Sequence, residues 1–256
     1  MHIQKNENAW NITDENEEIA RVSGFAFPGD ALFANVQLST SLSIQKKKEI
    51  LKLLSEELKK EFHERSIQLF LDEGQMHDHE TDVYFTLNRV RMFRSLENIP
   101  EVHINEREIH SLNFEDIAVK AQEIFDATPE YDRKMINMNC SKDVRKFYKE
   151  IIVEKAIGKY LSELSFGYGK DFLKGFIINM EIENVEKTLL VGDIIVLEEY
   201  RRQGIATQLI VHSLKRAKVM GFEKAILDVT ASNPANNLYE KLGFKEFKTV
   251  TSIFVK

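Results

Sequence analysis

Two stretches of the chain carry the same succession of hydrophobic and polar positions. In the C-terminal half, the apolar run Leu173–Met180 predicts a buried strand and Leu189–Leu197 a second, joined by the polar loop Glu183–Lys187. Leu209, Ile210, Leu214 and Ala217 then share one face of a helix predicted over 203–220, which stops at Gly221. Ala225–Val229 predicts a third strand, parallel to the second because a helix makes the crossover. In the N-terminal half, Ile19–Phe27 is β-like, and Leu32–Leu38 sets Ala34, Val36 and Leu38 against Asn35 and Gln37. A helix over 45–64 would bury Leu51, Leu54, Leu58 and Phe62, and Ile67–Leu71 closes the unit as a strand. One shift of 158 residues carries Leu38 onto Val196 and Leu71 onto Val229. Strand, helix and strand thus recur without a gap, the mark of an internal repeat.

Between the copies, Phe114, Ile117, Ala118, Ala121 and Ile124 recur at helical spacing, as do Val144, Phe147, Ile151 and Ile152. Pro100 interrupts the pattern, so Asn98–Glu101 reads as a linker between domains 1–98 and 99–256. The fold class expected is α/β, with a mixed sheet flanked by helices and built as two tandem halves.

Charge and cysteine content narrow the function. The 256 residues carry 35 Lys and Arg against 41 Asp and Glu, a net charge of −6. This balance argues against nucleic-acid and membrane-surface partners and permits a cationic substrate. Cys140 is the sole cysteine, so no intrachain disulfide can form, and a reducing, cytoplasmic setting is expected. No apolar run reaches membrane-spanning length, and His2–Asn8 is too polar for a signal peptide. His77-Asp78-His79-Glu80 offers potential ligands but reads as a solvated loop, so no metal is expected. Lys46-Lys47-Lys48, beside Glu49, reads as a solvated helix start.

The candidate chemistry gathers where the apolar strand Ile194-Ile195-Val196 empties into Leu197-Glu198-Glu199-Tyr200-Arg201-Arg202-Gln203-Gly204-Ile205-Ala206. A helix entered through Arg201-x-x-Gly204-x-Ala206 leaves outward backbone N–H groups, and its dipole favours an anion there. Gly204 permits close approach and Ala206 keeps the first turn thin, which suits a pyrophosphate. The dinucleotide fingerprint and the P-loop are both absent. About twenty residues on stands Leu227-Asp228-Val229-Thr230-Ala231-Ser232-Asn233, followed by Leu238-Tyr239-Glu240-Lys241-Leu242-Gly243-Phe244.

Together these two blocks resemble the coenzyme A site of the GCN5-related N-acetyltransferase (GNAT) superfamily, over about residues 170–256. There an R/Q-x-x-G-x-G/A turn cradles the pyrophosphate, and a Leu-Tyr-x-x-x-Gly-Phe helix follows the next strand. The resemblance implies acetyl-CoA as cosubstrate and transfer of its acetyl group to a primary amine of a small molecule or peptide by direct attack. It further implies pantetheine contacts from the backbone of Ile194, Ile195 and Val196, and pyrophosphate contacts from Arg202, Gln203, Gly204, Ile205, Ala206 and Thr207. Asn233 matches the family's pantetheine-side Asn, with Asn236 the alternative because the spacing to Tyr239 is one residue short. The helical segment 111–165, including Asp126, Tyr131, Asp132 and Tyr148, would roof the acceptor.

Amine acetylation needs a deprotonated amine, a donor for the oxyanion and a proton for the departing thiolate. No enzyme nucleophile is required, so Cys140 has no assigned role. Tyr239 matches the family tyrosine whose hydroxyl approaches the coenzyme sulfur, and would be the general acid. The base stays open between two residues. Asp228 matches the position where the ribosomal-protein-alanine branch carries a Glu, and Asp193 lies on the cofactor-binding strand. In the first copy Lys46 and Lys48 stand where the second has Gly204 and Ala206, and their side chains would fill the pyrophosphate space. The first copy is therefore read as degenerate and cofactor-free. A non-catalytic acyl-CoA-binding regulatory module would fit the same coenzyme motif. The chain is expected as a monomer, its N-terminal half replacing a dimer partner, or as a homodimer.

Overall fold

The computed structural model describes residues 1–26, 31–72, 76, 78–128, 130, 133, 143–154, 158–182 and 185–256. His77, Tyr131, Asp132 and Cys140 lie outside the described residues. In chain order the strands and helices are β1 (His2–Lys5), β2 (Ala9–Asp14), β3 (Glu17–Ala26), β4 (Ala31–Leu38), α1 (Ile44–Glu61), β5 (Ser66–Asp72), β6 (His79–Glu80) and β7 (Tyr84–Ser95). They continue with β8 (Ile109–Ser111), α2 (Phe114–Val119), α3 (Ala121–Ala127), α4 (Val144–Ile152), β9 (Lys159–Tyr160), β10 (Phe166–Tyr168) and β11 (Gly175–Glu181). The last are β12 (Thr188–Val196), α5 (Ile205–Val219), β13 (Lys224–Thr230), α6 (Asn236–Lys241) and β14 (Lys245–Val255). The chain divides into two compact units, Met1–Arg89 with Lys248–Lys256, and Val90–Phe247.

In the first unit β1 to β4 form an antiparallel meander, and β4 runs parallel to β5 through the α1 crossover. The end of β14 completes this sheet, pairing antiparallel with β5 from Val250↔Asp72 to Val255↔Ile67. Trp10, Ile12, Val22, Leu32 and Val36 close over Ile50, Leu51, Leu54 and Leu58 of α1, all buried. Each such side chain contributes about 1.5–3 kcal/mol on leaving water. Ser43 starts α1 by accepting the Lys46 N–H at 3.2 Å, a side-chain cap for one of the helix's orphan donors.

The second unit orders its strands β7-β13-β12-β11-β10-β8, with β9 on β11. One face packs on α5, where Leu209, Ile210, Leu214 and Ala217 meet Leu189, Val191, Ala225, Leu227 and Val229. The other packs on α2–α4, where Ile117, Ile124, Val144 and Tyr148 meet Phe176, Ile178 and Met180. Asn98–Glu101 lies inside this unit, with Ile99 packed on the α5-side core and Glu101 bonded to Lys215 at 2.7 Å.

The repeat is a structural fact. The 158-residue shift carries the end of β4 onto the end of β12, and β5 onto β13 over its whole length. It also carries the last residue of α1 onto the last of α5, but not the first. The second helix starts three residues late because Arg202 (φ 61°) and Gly204 (φ 78°) are left-handed and make a loop instead.

Candidate active site

The site begins where two parallel strands part. β12 and β13 pair from Thr188↔Lys224 to Val191↔Leu227 and no further. β12 runs on to Val196 with β11 as its neighbour, so the backbone of Gly192–Val196 is laddered on one side only. A half-laddered strand is a template for an extended ligand. The carbonyl of Val196 is engaged by Arg201 Nε at 3.1 Å, which leaves Ile194 and Ile195 as the inner backbone of the opening.

A bulge sits at the fork. Ile178 pairs with Asp193 while Asn179 pairs with Val191, so Gly192 is the extra residue. A Cβ at Gly192 would collide with Met180 Cε. One added residue exchanges the two faces of a strand. Leu189 and Val191 face the α5 core before the bulge; after it Ile194 does so, and Ile195 faces the α2–α4 core. Asp193 is thereby carried to the α4 side, where its Oδ2 accepts the Tyr148 hydroxyl at 2.5 Å.

After β12 the chain turns through Glu198–Tyr200 into the left-handed Arg202 and Gly204. Gly204 is the N-cap of α5 with no side-chain cap, and the first intrahelical bond runs from Gln208 N–H to Gly204 C=O at 3.0 Å. The backbone N–H groups of Arg202 to Thr207 donate to no acceptor among the described residues. Nothing lies within 4 Å of a Cβ built on Gly204. Open donors, a bare Cα and the positive end of a 15-residue helix make an anion cradle. Arg201 braces it: besides Val196, its guanidinium holds the carbonyl of Ala127 at the end of α3.

On the other limb, Asp228 stands one residue beyond the last β12–β13 pair and is clamped by Arg91, Nε to Oδ1 and Nη2 to Oδ2, both at 2.8 Å. Ala225, Leu227 and Val229 face the α5 core, so alternation turns Asp228 to the opposite face. Tyr239, on α6, is 7% exposed and packs edge-on against Phe244 at 6.1 Å. Asn233 closes the preceding turn, its Oδ1 accepting the Ala235 N–H at 2.9 Å. Asn236 donates from Nδ2 to the carbonyls of Thr230 (3.3 Å) and Ala231 (3.0 Å), while its buried Oδ1 has no partner.

The α6 support comes from far away in sequence. Arg94, 5% exposed, donates to the carbonyl of Leu242 at the end of α6 and, at 2.6 Å and 3.1 Å, to those of Asn98 and Ser95. Burial lowers the guanidinium pKa, yet the group stays charged and suits a helix C-terminus. Arg91, Arg94 and the Tyr148–Asp193 bond were not foreseen as site supports, nor was the bond from Arg201, the first residue of the expected turn, to Ala127. Arg91 lies 137 residues from Asp228 and Arg94 lies 148 from Leu242, so no local pattern links them. Asp78 accepts the Asn88 N–H at 2.8 Å, and among the described residues no group of three or more His, Cys, Asp or Glu could hold a metal.

Residues 166–244 match the model of the acetyltransferase (GNAT) family. An N-alpha-acetyltransferase of Sulfurisphaera tokodaii is 46% identical over 78 residues, 30% of this chain and 47% of that relative. The chain thus spans about half the length of that curated relative. Among solved structures, a GCN5-related N-acetyltransferase from Sphaerobacter thermophilus superposes with TM-score 0.56 at 13% identity, over 97% of this chain and 80% of its own. A tandem GNAT protein from the clavulanic acid biosynthesis pathway does so with TM-score 0.52 at 12% identity, over 96% and 82%. The fold is therefore the GNAT fold, a mixed α/β sheet flanked by helices.

Proposed function

We propose that this protein is an acetyl-CoA-dependent N-acetyltransferase whose acceptor is a primary amine, with a peptide N-terminus the favoured class. One observation carries the reading: the open donors of Arg202–Thr207 stand at the mouth of the β12–β13 fork. An extended pantetheine and its pyrophosphate need those two features side by side, and the space beside Gly204 admits them. When bound, acetyl-CoA supplies the thioester to be attacked. The peptide acceptor is favoured because the Sulfurisphaera tokodaii relative is named an N-alpha-acetyltransferase.

The residues divide the work. Arg202–Thr207 bind the pyrophosphate through backbone N–H groups, and Ile194 and Ile195 orient the pantetheine by strand addition. Asp193 takes the proton from the incoming ammonium, freeing the nitrogen lone pair for attack at the thioester carbonyl. Asp228 is the weaker choice for base, since both its oxygens are spent on Arg91. Tyr239 gives its proton to the departing sulfur as the carbon–sulfur bond breaks, and the acylated nitrogen sheds its second proton to solvent. The first unit is a cofactor-free copy.

The test is thiol release from acetyl-CoA against peptides of varied N-terminus, polyamines, aminoglycosides, amino acids and amino-sugar nucleotides. Turnover with peptides, lost in Gly204→Glu, is expected. Failure to bind acetyl-CoA at millimolar concentration would end the reading. Binding without turnover on any amine would favour the regulatory-module alternative.

A further inference from the structure

We infer that the first unit holds a ligand site of its own, a small cavity beside the last two turns of α1 that takes a carboxylate carried on a short apolar chain. It uses no residue assigned to acetyl transfer. The cavity measures about 300 Å³ and is lined by Ser55, Glu56, Lys59 and Lys60 of α1, facing Val83 and the end of β14. All of these belong to the first unit. At about 30 Å³ for a water-sized group, the space admits about ten heavy atoms. Ser55 is what points to a ligand. It stands in the apolar stripe of Leu51, Leu54 and Leu58 and is as fully buried as they are. A helical serine can spend its hydroxyl on the carbonyl four residues back. The Ser55 hydroxyl has no partner among the described residues. An unpaired buried hydroxyl costs stability, and against a cavity it marks a place for an incoming acceptor.

The charges around the cavity select the ligand's head. Lys59 follows Ser55 by four residues, one turn on along the same side of the helix. It is half-buried, and its ammonium bonds to nothing among the described residues. The other cations of the lining are spent. Lys60 holds Glu57 at 2.6 Å, and Lys256 holds Glu80 at 2.9 Å and the Thr81 carbonyl at 2.6 Å. Glu56, the acid among the lining residues, sits against Lys52 at 4.0 Å. A hydroxyl and an ammonium one turn apart match the two oxygens of a carboxylate. One free ammonium balances one negative charge. A phosphate monoester, with close to two charges and three acceptor oxygens, would bring more than this lining can meet. Val83 and Val255 supply the apolar wall for the chain. The Lys256 N–H donates to the Val83 carbonyl at 2.9 Å, which ties the two sides of that wall together. Octanoate, of about ten heavy atoms, is the matching probe.

The experiment titrates the 256-residue chain with octanoate by calorimetry, beside Ser55→Ala and Lys59→Gln. One saturable equivalent is expected, with a Kd near or below about 1 mM. Each variant should weaken binding on the order of tenfold, the loss of one bond to a charged group. Ser55→Ala carries a second signature in thermal unfolding. Without octanoate its midpoint should rise, because an unpaired buried hydroxyl is gone. With octanoate it should gain less than the wild type. A midpoint that rises while octanoate affinity holds would leave the hydroxyl a core defect and overturn the proposal. Octan-1-ol binding as tightly as octanoate would strike out the anion, and tighter binding of octyl phosphate would strike out the carboxylate. Either result overturns the assignment. Binding that both variants leave untouched lies elsewhere and overturns it as well. So does the absence, at about 10 mM octanoate, of both saturable heat and any shift of the wild-type midpoint.

Discussion

The two units share one arrangement of strand, strand, helix and strand, and they differ where the second is proposed to hold its ligand. In the first, β4 and β5 stay paired over six positions, from Ala31↔Ser66 to Val36↔Leu71. In the second, the corresponding strands pair over four and part at Val191↔Leu227. The helix starts differ in the same sense. Ser43 caps α1 with its own side chain, and the half-buried Lys46 lies over Asp14 at 2.8 Å. Gly204 caps α5 with nothing, and the next donors stay open. The proposed site would be made by withholding bonds the fold would otherwise close: a ladder left unfinished, a helix left uncapped. The first unit spends the same bonds on itself.

The largest effect should come from filling the open cradle. Gly204→Glu places a side chain on a left-handed residue and a negative charge where the pyrophosphate would lie. Calorimetry should show acetyl-CoA affinity falling more than about 100-fold, which is roughly 3 kcal/mol. Retained affinity would mean the cradle is not the binding site.

Next in size is Tyr239→Phe. The side chain is almost wholly buried beside Phe244, so the ring can stay and only the proton donor is lost. Turnover should drop on the order of 100-fold with affinity for acetyl-CoA little changed. Equal turnover would take Tyr239 out of the mechanism.

A smaller effect falls on the other unit. Ser43→Ala removes the α1 cap and should cost about 1 kcal/mol in urea unfolding. Coenzyme affinity should not move, because the second unit's helix never used a side-chain cap. A loss of affinity would show that the first unit takes part in coenzyme binding.

Some of this was legible in the chain. The repeat, the fork strands and the loop before α5 are local patterns: alternation, helical spacing, and a glycine just before a helix. They were read to within a few residues, and the 158-residue shift survives in the strand ends. What could not be read is pairing at a distance. Nothing near Asp228 announces Arg91, and nothing near Leu242 announces Arg94, since both arginines alternate on a strand whose neighbours are set by the fold. The bulge at Gly192 is intermediate: a glycine in a strand hints at irregularity. Only the register with β11 shows that it turns Asp193 toward Tyr148.

The finest test asks which difference between the units matters most. Lys46→Gly with Lys48→Ala gives the first helix the residues that stand at Gly204 and Ala206 in the second. The Lys46–Asp14 pair lies at the surface, about a third exposed, and is worth little; the new glycine costs about 1 kcal/mol within the helix. The fold should tolerate both changes. Calorimetry should nevertheless find no second equivalent of acetyl-CoA, because the Ser43 cap remains and β4 is still laddered to β5 through Val36. The pantetheine would have no half-laddered strand to join. Saturable binding of a second equivalent would reverse that ranking: two long side chains, rather than a closed ladder, would then be what separates a silent copy from a working one.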